Sequence, residues 1–596
     1  MANPTTLFNQ TPSLIIPSTL TPTTLLHHPH LPLSVPRRHR RHPVTCKATH
    51  DNNNNHHHQP HQPTLLDRRD ILLGLAGVSS ASALITPSNP ALASPIQAPD
   101  LTKCGPADLP TGAIPTNCCP PIKSSDILDF QLPSPSTPLR LRPAAHLVDK
   151  AYVDKYAKAI SLMKALPADD PRNFTNQANV HCAYCDGAYD QVGFPNLELQ
   201  VHNSWLFFPW HRCYLYFYER ILGKLIGDDT FAIPFWNWDA PAGMTLPSIY
   251  TSTSSSLYDK LRDAKHQPPT LVDLDFNGED PNYTDKEQLD HNLRVMYRQV
   301  ISNGKSASLF MGLPLRAGDK PNPGAGSLEN LPHGPVHVWT GDRTQPNGEN
   351  MGTFYSAARD PIFFAHHGNV DRMWWLWRKL SPRHKDFTDK DWLDAAFLFY
   401  DEEARPVRVR VRDVLEVDKL RYSYQEVDVP WAKTKPTVRL GANSVLKTKS
   451  RGIAPPPPVV TSFPIDLKNT VSVIVKRATR ARSAAQKEKE EEVLVVEGIE
   501  FSRDVFVKID VYVNSAGQED SVSPGGRELA GSFVNVPHKH KHSKKEKLVK
   551  TKLRVGLTDL LEDIGAEEDE SILVSLVPRK GKSKVKIGGV KIELVQ

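Results

Sequence analysis

Histidines in the middle of the chain constrain its fold more than any other feature of the sequence. They form two groups: His181, His202 and His211, and then His333 and His337 followed by the adjacent pair His366 and His367. A lone inward-facing histidine is usually a satisfied core residue, whereas several that converge can ligate a metal ion. The spacing therefore predicts a helical core in which two sets of three imidazoles face one another.

The first group depends on a helix that begins beside a proline. Residues as far apart as His202 and His211 face opposite ways on one straight helix. Pro209 is suited to the first turn of a helix, which predicts a helix from Trp210 to Ile226 with His202 upstream. The apolar side chains that share the face of His211 on this helix are Leu215, Tyr218 and Leu222. His211 therefore points into the core.

The second group lies on two further helices. His333 and His337 are spaced i, i+4, so that one helical face carries both. The neighbouring prolines cost little if Pro332 is the first helical residue, because the first N–H groups of a helix have no intrahelical acceptor. Another helix is predicted from Asp360 to Trp377, but its periodicity does not decide which of its two adjacent histidines faces inward.

The type of ligand narrows the choice of metal. Carboxylate-rich sites suit iron or manganese pairs, and magnesium and calcium prefer oxygen ligands. Ligation by imidazole alone suits copper or zinc. A single set of three histidines would serve a catalytic zinc ion, whereas two facing sets fit a coupled pair of copper ions better.

The first 93 residues have the composition of a targeting segment. Residues 1–62 are rich in hydroxylated and basic residues and poor in acidic ones, which is typical of an organellar transit peptide. Arg68 and Arg69 then precede a short apolar stretch, 71–85, and a small-residue cleavage sequence at 91–93. We expect a bipartite chloroplast and thylakoid signal that delivers a soluble protein to the thylakoid lumen. A cytosolic protein with an irregular N-terminus is the alternative.

Two folded regions follow this segment. Residues 94–431 begin with a proline-rich arm and continue through helical patterns and long loops, which predicts a mainly α core, a helical bundle around the metal site. Residues 432–462, with their run of prolines, are typical of a linker. Residues 463–596 predict a small antiparallel β-sandwich. Its β-type segments are 471–475, 493–496, 505–513, 552–557, 572–577 and 585–594.

Charge and hydropathy argue against two kinds of partner. The formal net charge of +6 is small for a chain of 596 residues, and the basic residues are dispersed. The densest basic run, 538–550, lacks the aromatic residues on which bases stack, so we expect a solvated loop and no nucleic-acid partner. No apolar stretch reaches the roughly 20 residues that a membrane-spanning helix needs.

Several stretches of the chain resemble the copper motifs of plant polyphenol oxidases, the family of catechol oxidases and tyrosinases. They are His181-Cys182-Ala183-Tyr184-Cys185, Phe207-Phe208-Pro209-Trp210-His211-Arg212 and Asp360 to Trp377. The resemblance runs from about Cys104 to the end of the chain and includes Asp391-Trp392-Leu393, Tyr422-Ser423-Tyr424 and Lys508-Ile509-Asp510-Val511. Several long motifs at matched spacing are highly specific.

The resemblance implies a ligand set for two copper ions, a type-3 centre. Copper A would be held by His181, His202 and His211, and copper B by His333, His337 and His367. The choice of His367 over His366 comes from the resemblance and not from periodicity. The centre would oxidise o-diphenols (catechols) to o-quinones while O₂ is reduced to water.

The resemblance also implies roles for residues around the metals. Cys185 would form a thioether with His202, and the disulfides would be Cys104–Cys119 and Cys118–Cys182. Phe354 matches the bulky residue that stacks over the copper A side of the pocket, and Glu329 matches an acid that positions a water.

Two positions depart from the family pattern. Members with good monophenol activity often carry Asn at the position of Gly334, where it helps Glu329 orient the water that deprotonates the phenol. Since Gly334 has no side chain, we expect monophenol hydroxylation to be weak or absent. Cys213 stands where the family often carries an aromatic residue, and we expect a buried, inert thiol.

The order of the domains implies that the C-terminal domain regulates the enzyme, and other functions remain as alternatives. The C-terminal domain would cover the pocket, so that the chain is a latent proenzyme activated by a protease that cleaves the linker. The alternatives are a tyrosinase with monophenolase activity and a specialised, aurone-synthase-like oxidase. A haemocyanin-like oxygen carrier, which has the same centre, is a further rival.

Overall fold

The computed structural model describes residues 94–124, 126–436, 458–515, 526–538, 548–581 and 585–595. The expected targeting segment, 1–93, and most of the expected linker lie outside these residues. No helix within the described ranges is long and apolar enough to cross a membrane.

Helices dominate the region up to residue 436, which confirms the expected helical core. They are α1 (Lys150–Ala165), α2 (Phe174–Cys185), α3 (Phe207–Ile226), α4 (Asp285–Tyr297), α5 (Ala307–Phe310), α6 (Gly334–Thr340), α7 (Phe354–Ala357), α8 (Ile362–Leu380) and α9 (Lys390–Leu393). Long loops connect them, and their buried side chains form one large apolar cluster.

The helix that carries His211 ends where the sequence predicts. Gly227 follows Ile226 in a left-handed conformation, with φ of 69°, and this terminates α3. The helix begins at Phe207, three residues before the predicted start, so Pro209 lies in its first turn, where a missing N–H costs nothing. The start of α6 differs more, since a π-helical turn from Glu329 to His333 precedes it in place of a helix beginning at Pro332.

Short strands tie the arm to the end of the core. They are β1 (Leu128–Asp129), β2 (Arg140–Arg142), β3 (Asp190–Gln191), β4 (Phe194–Glu198), β5 (Ala396–Tyr400), β6 (Pro406–Arg410) and β7 (Tyr422–Tyr424). Strand β1 pairs in parallel with β6, which pairs antiparallel with β5, and β2 pairs in parallel with β7. The chain segments before α1 and after α9 are thereby held together.

The region after the linker is a domain of two antiparallel sheets, which confirms a C-terminal sheet domain. Its strands are β8 (Ile465–Asp466), β9 (Val471–Lys476), β10 (Glu491–Ser502), β11 (Val507–Val513), β12 (Leu529–Asn535), β13 (Leu548–Gly556), β14 (Ser571–Lys580), β15 (Lys586–Ile587) and β16 (Gly589–Val595). One sheet has the order β12-β11-β14-β9 and the other β13-β10-β15-β8, with β16 beside β10. Apolar side chains of both sheets share one buried cluster.

Three features of this domain were not expected from the sequence. Residues Ala484–Lys489 form a short exposed helix, α10, where a hairpin loop is the simpler interpretation of a Lys/Glu run. Strand β12 was not predicted, and it is buried along its whole length. A second helix, α11, spans Thr558–Ile564.

Candidate metal centre

The first histidine group converges inside the core. His181 lies on α2, His202 on the segment that leads into α3, and His211 on α3 itself. All three are buried, and one ring nitrogen of each lies within 4.8 Å of those of the other two. Three imidazoles from separate elements therefore surround one point.

Backbone carbonyls fix the tautomers of two of these rings. Nδ1 of His181 lies 2.9 Å from the carbonyl oxygen of Phe354, and Nδ1 of His211 lies 2.7 Å from that of Phe207. A carbonyl only accepts hydrogen bonds, so Nδ1 carries the proton and Nε2 keeps its lone pair. Among the described residues, Nε2 of His181, His202 and His211 has no hydrogen-bond partner. A bound metal ion would give these buried nitrogens the partner that they lack.

The second group converges in the same way. His333 lies at the start of α6, His337 within it, and His366 and His367 are adjacent on α8. The ring nitrogens of these four residues also lie within 4.8 Å of one another. His333 and His337 hold their Nδ1 atoms 3.2 and 2.8 Å from the carbonyl oxygens of Glu329 and Met351.

The adjacent histidines of α8 differ in their surroundings. The indole N–H of Trp238 donates to Nδ1 of His366 at 3.1 Å. Because an indole N–H only donates, Nδ1 of His366 is the acceptor, and the proton of that neutral ring lies on Nε2. Nε2 of His367, in contrast, lies 3.2 Å from Nε2 of His337. Two ring nitrogens this close share a space suited to one metal ion.

The two groups face one another. The rings of His211 and His367 are stacked with centroids 4.2 Å apart and an interplanar angle of 9°. Burial lowers the pKa of His181 to about 3 and that of His337 to about 4. Burial and neighbouring imidazoles likewise hold the pKa of His367 well below its usual value. All these rings are therefore neutral near pH 7, the state in which imidazole ligates a metal.

A buried ion network holds together two helices that carry the histidines, α3 and α8. Arg212, next to His211 on α3, donates from Nε to Oδ1 of Asp371 on α8 at 2.6 Å. Asp371 also accepts hydrogen bonds from the hydroxyls of Tyr422 and Tyr424 and from Arg142. The tyrosine motif at the end of the core thus closes onto the carboxylate that joins α3 to α8.

Among the described residues, the cysteines form the two disulfides that the resemblance implies, and Cys185 and Cys213 are free thiols. The disulfides are Cys104–Cys119 and Cys118–Cys182, and the second ties the arm to α2 beside His181. Cys185 is buried at the end of α2, and its carbonyl accepts a hydrogen bond from Gln200, two residues before His202. Burial raises the pKa of the Cys213 thiol well above its usual value, which agrees with an inert thiol.

Phe354 separates the first histidine group from the C-terminal domain. Its ring stacks on His202, with centroids 4.1 Å apart, and also on His538, with centroids 4.7 Å apart. The hydroxyl of Thr353 donates to the carbonyl of Pro537 at 3.0 Å. His538 begins the basic run that was expected to be a solvated loop, but it is buried. Residues 539–547 of that run lie outside the described residues.

Gly334 lies directly beneath the C-terminal domain. A Cβ atom added at Gly334 would lie 2.9 Å from Cγ1 of Val534 and 3.4 Å from Cγ2 of Val536. The N–H of Val534 donates to the side-chain oxygen of Asn330 at 3.2 Å. Val534 lies in β12 and Val536 just after it, yet both belong to the apolar cluster of the helical core. The C-terminal domain therefore inserts side chains over the second histidine group.

Glu329 is buried beside the second group. Its Oε1 accepts a hydrogen bond from the N–H of Asn203 at 2.6 Å, and its Oε2 has no partner among the described residues. Burial raises the pKa of Glu329 well above its usual value. The free carboxyl oxygen is a ready partner for a water molecule.

Sequence reasoning missed Trp238 and the residues of β12. No local pattern connects Trp238 with His366, because the contact spans 128 residues. Strand β12 has glycines before and within it, which weakens a strand pattern. The alternation of Val534, Asn535 and Val536 is a short signal of a strand here.

Comparison with known proteins gives the same organisation. Residues 171–380 match the common central domain of tyrosinase, residues 386–437 the polyphenol oxidase middle domain, and residues 463–594 the chloroplastic polyphenol oxidase C-terminal domain. A chloroplastic polyphenol oxidase of Malus domestica is 58% identical over 570 residues, 94% of each chain. The chain belongs to the plant polyphenol oxidase family.

Solved structures of this family agree with the fold. Latent apple tyrosinase has a TM-score of 0.74 and 60% identity, over 79% of this chain and all of that one. Active aurone synthase, a polyphenol oxidase described with copper B, has a TM-score of 0.54 and 48% identity, over 56% of this chain and all of that one. The protein is an oxidoreductase of the chloroplast that acts on diphenols, and the metal of its histidine centre is copper.

Proposed function

We propose that the protein is a latent catechol oxidase whose centre holds two copper ions. Copper A would be bound by His181, His202 and His211, and copper B by His333, His337 and His367. The observation that carries this proposal is the convergence of two buried imidazole sets, whose rings meet at His211 and His367. Two separate sets of ring nitrogens favour two ions over the single zinc ion that three histidines would serve.

The hydrogen bonds at α8 support the choice of His367. Nε2 of His366 carries the proton of its ring as long as Trp238 donates to Nδ1, so that nitrogen has no lone pair for a metal. His367 instead directs Nε2 toward Nε2 of His337. We therefore assign His366 as a structural residue and His367 as the ligand.

The reaction couples two catechols to one O₂. Each catechol loses two electrons and two protons to become an o-quinone. O₂ takes up the four electrons and four protons from two catechols and gives two waters. When bound, the copper ions supply O₂ binding and the electron transfer. The chain supplies the fixed neutral imidazoles, a water-poor pocket and aromatic surface for the substrate ring.

Phe354 and Glu329 would act on the substrate and its protons, and Gly334 would set the substrate preference through its lack of a side chain. Phe354 presents an aromatic face beside His202, against which a phenol ring can pack. Glu329 offers its unpartnered Oε2 to a water at the second histidine group. Gly334 adds no amide that would help orient that water, which supports preference for diphenols over monophenols.

Latency is supported by the C-terminal domain. Val534, Val536 and His538 cover Gly334 and Phe354, the surfaces where a substrate would approach. Covering by side chains of the same polypeptide would keep the intact chain inactive. Cleavage within the linker, residues 432–462, by an activating protease would allow the domain to leave.

Maturation would place the enzyme in the thylakoid lumen. The twin arginines and apolar stretch before residue 94 support export after chloroplast import. The two disulfides support an oxidising compartment. The family resemblance also leads us to expect a thioether between Cys185 and His202 in the mature protein.

One experiment tests the centre and the latency together. Copper bound to the purified full-length chain is counted, and O₂ uptake with catechol and with tyramine is measured before and after limited trypsin cleavage of the linker. We expect two copper ions per chain, low uptake by the intact form, and a rise on cleavage that is larger for catechol. One ion per chain would contradict the pair, and reversible O₂ binding without catechol turnover after cleavage would favour an oxygen carrier.

A further inference from the structure

Two buried asparagines of the catalytic core bind the main chain of strand β12. Nδ2 of Asn303 donates to the carbonyl of Ala530 at 2.9 Å, and Oδ1 of Asn330 accepts from the N–H of Val534 at 3.2 Å. Asn303 and Asn330 are 1% and 3% exposed, so solvent does not compete for these hydrogen bonds. Both contacts are made to backbone groups, as a neighbouring strand would make them.

Strand β12 lies at the edge of its sheet, where such partners are needed. Among the described strands it pairs only with β11. The register shifts between Leu529 and Gly531, so that Ala530 has no opposite residue on β11. Edge strands and bulged residues leave main-chain groups unpaired, and an unpaired group is costly once it is buried. The asparagines of the core therefore supply hydrogen bonds that β11 does not give to this edge.

Asn303 also reaches the second sheet of the C-terminal domain. Its Oδ1 accepts from the N–H of Gly556 at 3.0 Å, at the end of β13, which is an edge strand of that sheet. A Cβ atom at Gly531 would lie 3.3 Å from Nδ2 of Asn303, and one at Gly556 would lie 2.9 Å from the carbonyl oxygen of Ser302. One carboxamide thus bonds an edge of each sheet, and two glycines allow the close approach.

The line of contacts continues on both sides of the asparagines. Nη2 of Arg298 donates to the carbonyl of Arg527 at 3.2 Å, and Oγ1 of Thr353 donates to the carbonyl of Pro537 at 3.0 Å. Side chains of the core therefore bond the main chain of the covering segment at four points between residues 527 and 537.

We propose that Asn303 and Asn330 form a strand-binding edge of the catalytic core, whose partner is the extended main chain of β12. The contact is a form of β-strand addition, in which backbone hydrogen bonds give the affinity. It keeps Val534 over Gly334 and so holds the cover on the histidine centre. The inference rests on the proposed latency, because a cover that did not inhibit would need no such anchor.

The test uses the full-length, copper-loaded chain with Asn303→Leu. Leucine has the same branched shape but neither donates nor accepts, so the Ala530 carbonyl and the Gly556 N–H lose their partner. Activity of the intact chain follows the small fraction of molecules with the cover displaced. We expect the intact variant to oxidise catechol about tenfold faster than the intact wild type, which corresponds to about 1.4 kcal/mol of weakened docking. After linker cleavage the two proteins should be equally active, since Asn303 contacts no proposed ligand.

Asn173 offers a matched control within the core. It is a buried asparagine that also makes one hydrogen bond of each kind with the backbone, accepting from the N–H of Thr175 at 2.9 Å and donating to the carbonyl of Leu166 at 2.7 Å. Asn173→Leu should lower the free energy of unfolding but leave the intact chain as latent as the wild type. An intact Asn303→Leu chain as inactive as the wild type, or an Asn173→Leu chain activated to the same extent, would overturn the proposal.

A variant on the other side of the boundary keeps the test open if Asn303→Leu does not fold. Gly556→Ala leaves the core sequence unchanged, and its Cβ would press on the carbonyl of Ser302. The intact Gly556→Ala chain should therefore also oxidise catechol faster than the intact wild type. A variant as latent as the wild type would contradict the strand-binding edge.

Hydrogen exchange separates failure of the edge from failure of the latency proposal. The amides of β12 and of Gly556 should exchange faster in intact Asn303→Leu than in the wild type or in Asn173→Leu. If cleavage of the wild-type linker leaves catechol oxidation unchanged, latency is wrong, and faster exchange of β12 in Asn303→Leu would still support the edge. Unchanged exchange in that variant would overturn the edge even where latency holds.

Discussion

The indole N–H of Trp238 donates a hydrogen bond to Nδ1 of His366, 3.1 Å away. This single contact assigns the proton of the His366 ring to Nε2 and distinguishes two adjacent histidines that the helix pattern leaves equivalent. His366 is buried in the same cluster as His333, His337 and His367. We therefore propose that proximity to the centre is not sufficient for ligation and that His366 is not a ligand.

Alanine variants of the adjacent histidines should behave differently. His367→Ala removes a proposed ligand, so about one copper ion per chain should remain and catechol oxidation by the cleaved enzyme should be lost. His366→Ala removes a ring whose lone pair is already used, so about two copper ions should remain. Copper analysis of both purified proteins checks this. Equal copper loss in the two variants would contradict the assignment.

Substitution of Gly334 should affect both latency and substrate preference. Any Cβ there would press on Val534, so Gly334→Ala and Gly334→Asn should both raise the catechol activity of the intact chain. After linker cleavage, only Gly334→Asn should raise the ratio of tyramine to catechol oxidation, because only its amide can help Glu329 orient a water. Gly334→Ala is the matched control. The same ratio in both cleaved variants would argue against a role for residue 334 in monophenol activity.

The Asp371 carboxylate should contribute much more to the free energy of unfolding than an exposed carboxylate does. Asp371→Asn leaves Arg212 and Arg142 buried with one opposing charge fewer, and we expect a loss of about 3–5 kcal/mol in the free energy of unfolding. Asp129→Asn, which removes an exposed partner of Arg408, should cost about 0–1 kcal/mol. Denaturant titration of both proteins measures the difference. Equal losses would mean that the buried network does not hold α3 to α8.

Acid should destabilise the copper-free protein through its buried histidines. The pKa of His181 is lowered to about 3 and that of His337 to about 4, whereas an unfolded chain titrates near 6.5. Below about pH 6.5 the unfolded chain therefore binds protons that the folded chain does not, so this stability is complete above pH 6.5 and is lost as the pH falls toward 4. Urea titration of the copper-free chain between pH 7.5 and 4.5 measures the slope. His337→Gln should give a shallower slope, and no difference would contradict the assignment of these pKa shifts.

Much of the centre was predictable because its signals are local. The i, i+4 spacing of His333 and His337 and the proline before His211 are short-range features, and the helices they predict exist with shifted starts. The disulfide partners of Cys119 and Cys182 came from resemblance, and both bonds are present. The strand that covers the centre was harder to predict from the sequence, because β12 contains Gly531 and has no strong strand pattern.

The sequence by itself determined the kind of ligand, the helices that carry most of the histidines and the succession of a helical core and a sheet domain. Imidazole chemistry and helical periodicity depend on residue type and short spacing, which any sequence displays. Only the tertiary structure decided where protons and charges find their partners. Trp238 reaches His366 across 128 residues, and Val534 reaches Asn330 across 204. Such contacts depend on packing between distant elements, and a linear pattern carries no record of which distant side chain fills a given hydrogen bond.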